Sequence, residues 1–139
     1  MKDFRQVFSQ AIQAAEDSAQ KSRETAEDKA RNAMSFLAGF VVPVLVRARA
    51  AVLAESAARQ KNVECEVDPP LIPRAVVAAN ETGSRTSLRL NASTLGFIYD
   101  DGVLNCYRDD PSSGVPMAPT PDAIEEEVAA FLQAAGRTL

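Results

Sequence analysis

Gly96–Arg108 reads GFIYDDGVLNCYR. Two apolar runs flank Asp101-Gly102, and an Asp-Gly pair supplies the positive backbone angles that a two-residue type I′ hairpin turn requires. Such a turn sets Asp100 opposite Val103 and Tyr99 opposite Leu104. Because side chains alternate along a strand, this register puts Leu95, Phe97, Tyr99, Leu104 and Cys106 on one face. Ile98, Asp100, Val103, Asn105 and Tyr107 fall on the other. The first face reads as core, whereas Ile98, Val103 and Tyr107 leave the second with apolar surface suited to another element or subunit. A three-residue turn with a glycine bulge is the alternative, and it would group Phe97 with Asn105.

Working outward, Leu88 and Leu90 alternate with Arg85, Ser87 and Arg89, which predicts a strand over Arg85–Asn91. Arg74–Ala79, followed by a turn rich in Asn80, Thr82, Gly83 and Ser84, reads as its hairpin partner. Val63, Cys65 and Val67 alternate with Glu64, Glu66 and Asp68, a further half-buried strand that Asp68-Pro69-Pro70 should end. Residues 61–110 are thus expected to form an antiparallel sheet of four or five strands. After a loop at 111–119, Thr120-Pro121-Asp122 supplies an N-cap, a first-turn proline and an acidic first turn. A helix over 120–136 follows, with Ile124, Val128, Phe131, Leu132 and Ala135 as its apolar stripe and Gly136 placed to cap it.

Residues 1–38 contain neither Gly nor Pro, so nothing local stops a helix. Such a helix runs about 55 Å, against a radius of gyration of about 14 Å for a compact chain of this length. Residues 1–32 are therefore expected to project as an arm. Phe8, Ile12, Ala15, Ala19, Ser22, Ala26, Lys29, Ala33, Phe36 and Phe40 follow the alternating spacing of a coiled-coil seam. Met34–Val46, MSFLAGFVVPVLV, lies within 15 uncharged residues between Arg31 and Arg47, too short a stretch to span a bilayer as a helix. Pro43 presses on the carbonyl of Gly39, which predicts a kink or break from Gly39 to Pro43. Residues 33–60 then read as a buried helical corner and a second helix from about Val44 to Arg59.

The chemistry open to the chain is narrow. With no histidine and two cysteines, Cys65 and Cys106, it can build no Ser-His-Asp or Cys-His nucleophile, no His-ligated metal and no four-thiolate zinc site. No Gly-rich phosphate loop is present. Asp100-Asp101 and Asp109-Asp110 read as turn residues rather than a metal or proton-transfer pair. Arg85 and Arg89 share strand parity and are the candidate contact for an anionic group. A net charge of −4 disfavours nucleic acid and anionic lipid. MKDFRQVFSQ lacks a targeting core, so a cytoplasmic chain with free, buried cysteines is expected.

These features together predict one α+β domain: a long N-terminal helix, a kinked second helix, a four- to five-stranded antiparallel sheet and a C-terminal helix packed on it. No catalytic residue, metal or cofactor is expected. The functional expectation is a non-enzymatic intracellular protein-interaction module of adaptor, chaperone or inhibitor type. It would pair as a homodimer through Phe8, Ile12, Ala15, Ala19, Ala26, Ala33, Phe36 and Phe40, with Ile98, Val103 and Tyr107 as further interaction surface. The alternatives are a small-ligand binder or minor enzyme with a pocket lined by Phe97, Tyr99 and Leu104, and membrane-surface association through Phe36–Val46.

Overall fold

The computed structural model describes residues 3–71, 84–100 and 102–139. Helix α1 spans Phe4–Phe36, α2 Val42–Ala58 and α3 Pro121–Gly136; the strands are β1 Cys65–Leu71, β2 Ser84–Leu90, β3 Ser93–Asp100, β4 Val103–Arg108 and β5 Val115–Met117. The sheet is an antiparallel meander in the order β1-β2-β3-β4-β5, with the three helices on one face, which makes the chain an α+β domain.

The β3–β4 register is the one the Asp-Gly turn requires: Asp100 pairs with Val103, Tyr99 with Leu104 and Phe97 with Cys106. Gly102 takes φ +80°, a left-handed conformation that glycine adopts without a Cβ penalty. Leu95, Phe97 and Leu104 are fully buried on the helix-covered face, with Tyr99 and Cys106 packed at its margin. From the helices, Leu37, Val41, Val44, Leu45 and Ala48 meet this layer, and Ile124, Val128 and Phe131 of α3 close it. Arg47 binds Glu125 at 2.6 Å and joins α2 to α3, while Arg49 donates to the Cys65 carbonyl at 2.8 Å and joins α2 to β1.

Of the kink or break expected from Gly39 to Pro43, the break does not occur, but the helix does leave regular α geometry there. It continues through a five-residue π-helical stretch, Leu37–Val41, in which the Val42 amide donates to the Leu37 carbonyl five residues back. A proline in an α-helix costs the bond to the carbonyl four residues earlier, and a widened turn removes the demand for that bond. Leu37 and Val41 are both fully buried, so burial holds the helix together across the site where local chemistry would end it.

Three further expectations are corrected. Asp68-Pro69-Pro70 does not end β1; the strand runs on to Leu71, with a register shift between Asp68 and Leu71. β1 is the outermost described strand, so one of the two adjacent prolines turns its missing amide away from β2, and the register shift accommodates the other. The expected strand Arg74–Ala79 and most of its turn lie outside the described residues, and β2 has β1 and β3 on its two edges. The β2–β3 connection is Asn91-Ala92, with Asn91 at φ +52° and its side chain accepting from the Glu64 amide at 3.1 Å. Residues 111–119 are not one irregular loop, for they contain a 3-10 turn, Pro111–Ser113, and the short strand β5.

The helix ends show which capping signals act. Thr120 accepts from the Ala123 amide at 3.3 Å, with Pro121 opening α3. Gly136 does not cap that helix; it is its last helical residue, and Arg137 follows in right-handed geometry. At the end of α2, Gln60 takes φ +55°, its amide donating to the Ala57 carbonyl while that of Lys61 donates to Ser56. This is a Schellman motif with glutamine where glycine is usual. Asp3 starts α1 by accepting from the Arg5 and Gln6 amides at 3.1 and 3.3 Å.

Candidate functional site: the helical arm and the open sheet face

Along α1, every described side chain from Asp3 to Lys29 is exposed, and burial begins at Ala30. The free arm is about 40 Å long at 1.5 Å per residue. Phe8 is 69% exposed and Ile12 43%, and Phe4 and Val7, which the seam spacing left out, also face solvent. Large apolar side chains on a free helix lose nothing in the monomer but stand ready to be buried by a partner. Its polar flanks are tied internally: Gln13 donates to Asp17 at 3.0 Å, Gln20 to Glu24 at 3.2 Å, and Arg31 pairs with Asp28 and Glu27.

The structure divides the expected seam. Ala15 and Ala19 join Phe8 and Ile12 on the free arm, and the side chain of Ala26 lies outside the described residues. Ala33 is not interaction surface, being buried beneath the sheet. Phe36 is half-buried and stacks on Tyr99 with ring centroids 4.2 Å apart; Phe40, 52% exposed, stacks on Phe36 at 5.2 Å. Ala33 and Phe36 of the inner seam are therefore taken up by the sheet, while Phe40 stays exposed.

On the sheet face opposite the helices, the registers align Asp68, Ser87, Gly96 and Tyr107 in one row. Tyr107, expected as open surface, is only 5% exposed. Its ring lies across Gly96, where an added Cβ would come within 1.9 Å of Tyr107 Cζ. Sequence alternation identified the face but not this close approach, which depends on a glycine in the neighbouring strand. Burial raises the Tyr107 pKa, and the charge of nearby Arg85 opposes the rise. Ile98 is half-buried, and Val103 stands exposed beside the hairpin turn.

Arg85 and Arg89 do project from one face, as their parity requires, yet they do not form an open anion clamp. The Asp68 carboxylate receives Arg89 Nε at 2.7 Å and Nη2 at 3.2 Å and the Ser87 hydroxyl at 3.1 Å. Arg85 lies near enough to Tyr107 for its charge to act on the phenol. The doublet Asp109-Asp110 is structural: Asp109 accepts from the Thr94 amide at 2.9 Å and Asp110 from Ser112 at 3.0 Å. Asp101 lies outside the described residues.

Of the residues named for a pocket under the sheet, Phe97 and Leu104 are fully buried in the core and Tyr99 is half-buried. A cleft of about 390 Å³ lies instead between β4, β5 and α3, bordered by Cys106, Arg108, Val115, Met117 and Glu127. Burial, and then the Glu127 carboxylate, push the Cys106 thiol up to about 11, so little thiolate exists there at neutral pH. Cys65 is buried and Cys106 half-buried, and both are free. Among the described residues, no group of three or more Cys, Asp or Glu is placed to hold a metal ion.

The continuous helix Phe4–Ala58 contains an 18-residue window of mean hydropathy 1.9, long and apolar enough to cross a membrane, of which 22% is buried in the fold. The 15-residue count of uncharged positions missed this, because the helix carries on past Arg47 and Arg49 into Ala50–Ala54. Leu37, Val41 and Leu45 fix one side of the window to the sheet, and Phe40 and Val46 remain exposed on the other.

Fold and surface define a helix-backed antiparallel meander that extends one long helix into solvent. Compared with protein families, with curated proteins and with solved structures, the chain matches none of them.

Proposed function

We propose that the chain is a non-enzymatic protein-interaction module that self-associates through its N-terminal helix. One observation carries the reading: an arm of about 26 residues is helical yet exposed throughout its described side chains, with Phe4, Val7, Phe8 and Ile12 uncovered. An isolated helix gains little from propensity alone and takes most of its stability from burying an apolar face. A second helix supplies that burial. Intracellular placement and the adaptor, chaperone or inhibitor class belong to the same proposal and rest on composition.

The test is the solution mass of the full chain and of the double variant Phe8→Glu/Ile12→Glu by sedimentation equilibrium. The wild-type chain is expected at twice its own mass and the variant at the single mass, with the thermal transition of the body unchanged. A wild-type chain that stays monomeric at high micromolar concentration, or a variant that stays dimeric, removes the proposal. A second reading is favoured by the apolar window alone: docking of Phe36–Val46 on a membrane surface, with Phe40 and Val46 as contacts. It requires cosedimentation with neutral lipid vesicles that Phe40→Ser abolishes.

A further inference from the structure

Resting on the self-association proposed above, we infer that two arms pair antiparallel about a two-fold axis near their midpoints. At 100° per residue, Phe8, Ile12, Ala15 and Ala19 lie within about 60° of helix circumference, and Ala30, Ala33 and Leu37 lie in the same sector. The last three are buried where the helix meets the sheet. One stripe therefore runs the length of the helix, free over its outer half and covered by its own sheet over its inner half.

That continuity decides the direction of pairing. In a parallel, in-register pair, each arm beyond residue 30 would have to enter space already filled by the other subunit's β2 and β3. Phe8 and Ile12 would also stack on their own copies while Ala15 and Ala19 faced gaps. Opposed arms place the two bodies at opposite ends, and the free length sets the register. With the partner's Phe4 at the level of Ala30, Ile12 meets the partner's Ser22 and Ala15 meets the partner's Ala19, with Phe8 at the level of residue 26. Bulky side chains at each tip then face small ones, and the stripe is its own complement, as a closed two-fold interface requires. The same register brings the two Glu16 side chains together across the axis, a like-charge contact that costs affinity.

A nitroxide at Gln6→Cys in the full chain reads the direction by electron spin-pair distance. Brief labelling at neutral pH favours this exposed thiol over buried Cys65 and over Cys106, and the wild-type chain treated alike gives the background to subtract. The opposed register sets the two labelled positions 22 residues apart along the axis, about 33 Å at 1.5 Å per residue. A parallel, in-register pair has no axial offset between the labels, so a distance made up only of the roughly 10 Å between helix axes and the reach of two outward-facing side chains overturns the direction but leaves self-association standing. A monomer removes both. Glu16→Gln is expected to tighten the dimer by about twofold, from relief of one like-charge contact; an unchanged or weaker dimer overturns the register.

Discussion

Replacing Gly96 by alanine perturbs one contact with little else nearby. The new Cβ would lie 1.9, 2.1 and 2.3 Å from Tyr107 Cζ, Cε1 and Oη, so the ring cannot keep its place over β3. Displacing a side chain that is 5% exposed forfeits its burial, about 2–3 kcal/mol for an aromatic ring. Alanine returns about 0.5–1 kcal/mol through its smaller backbone entropy in the unfolded chain. The net loss is about 1–2.5 kcal/mol, or roughly 6 °C in melting temperature for a domain of this size. Urea unfolding followed by far-UV circular dichroism measures it in four chains: wild type, Gly96→Ala, Tyr107→Ala and the double variant. With the ring gone, the alanine has room, so Gly96→Ala should stabilise by about 0.5–1 kcal/mol in the Tyr107→Ala background and the coupling should be about 2–3 kcal/mol. A Gly96→Ala chain within about 0.5 kcal/mol of wild type, or equal losses in both backgrounds, refutes the close approach.

Two other outcomes follow from local geometry. Gln60→Gly should stabilise the chain by about 0.5–1 kcal/mol, because Gln60 holds φ +55° at the Schellman position where glycine has no Cβ to strain; a denaturation midpoint that falls contradicts this. Cys106 has its thiol raised from 9.0 to about 11 by burial and by Glu127, so the folded state holds the proton more tightly than the unfolded one. Its contribution is complete below pH 9 and is lost as pH rises through about 11. The urea midpoint of Cys106→Ala should therefore fall less steeply over that interval than that of the wild type, while the raised groups Cys65 and Tyr107 keep some slope in both. Parallel curves would refute the assignment.

What the sequence made legible was chemistry confined to a few neighbouring residues. The Asp-Gly turn fixed the pairing of β3 with β4, and Thr120-Pro121 fixed the start of α3, because both signals act on backbone groups close in the chain. The fate of Pro43 was not legible. Whether a helix breaks or widens there depends on Leu37 and Val41 being buried by strands far along the sequence. Pro69-Pro70 misled for a similar reason, since only the strand order makes β1 an edge. In the candidate surface, helical spacing found the exposed Phe8 and Ile12 but could not tell that Ala33 turns under the sheet. Arg89 read as available charge because its partner, Asp68, stands 21 residues away.

The prolines of the outer strands set how this molecule can grow. β1 carries Pro69-Pro70 and the three-residue β5 carries Pro116, so each lateral border of the meander lacks amide donors that an incoming strand would need. Each outward-facing proline removes a donor that strand-by-strand extension into fibres would use. Contact between copies is thereby steered away from backbone hydrogen bonding, which any exposed strand could satisfy, and toward side-chain fit, which only a matching surface provides.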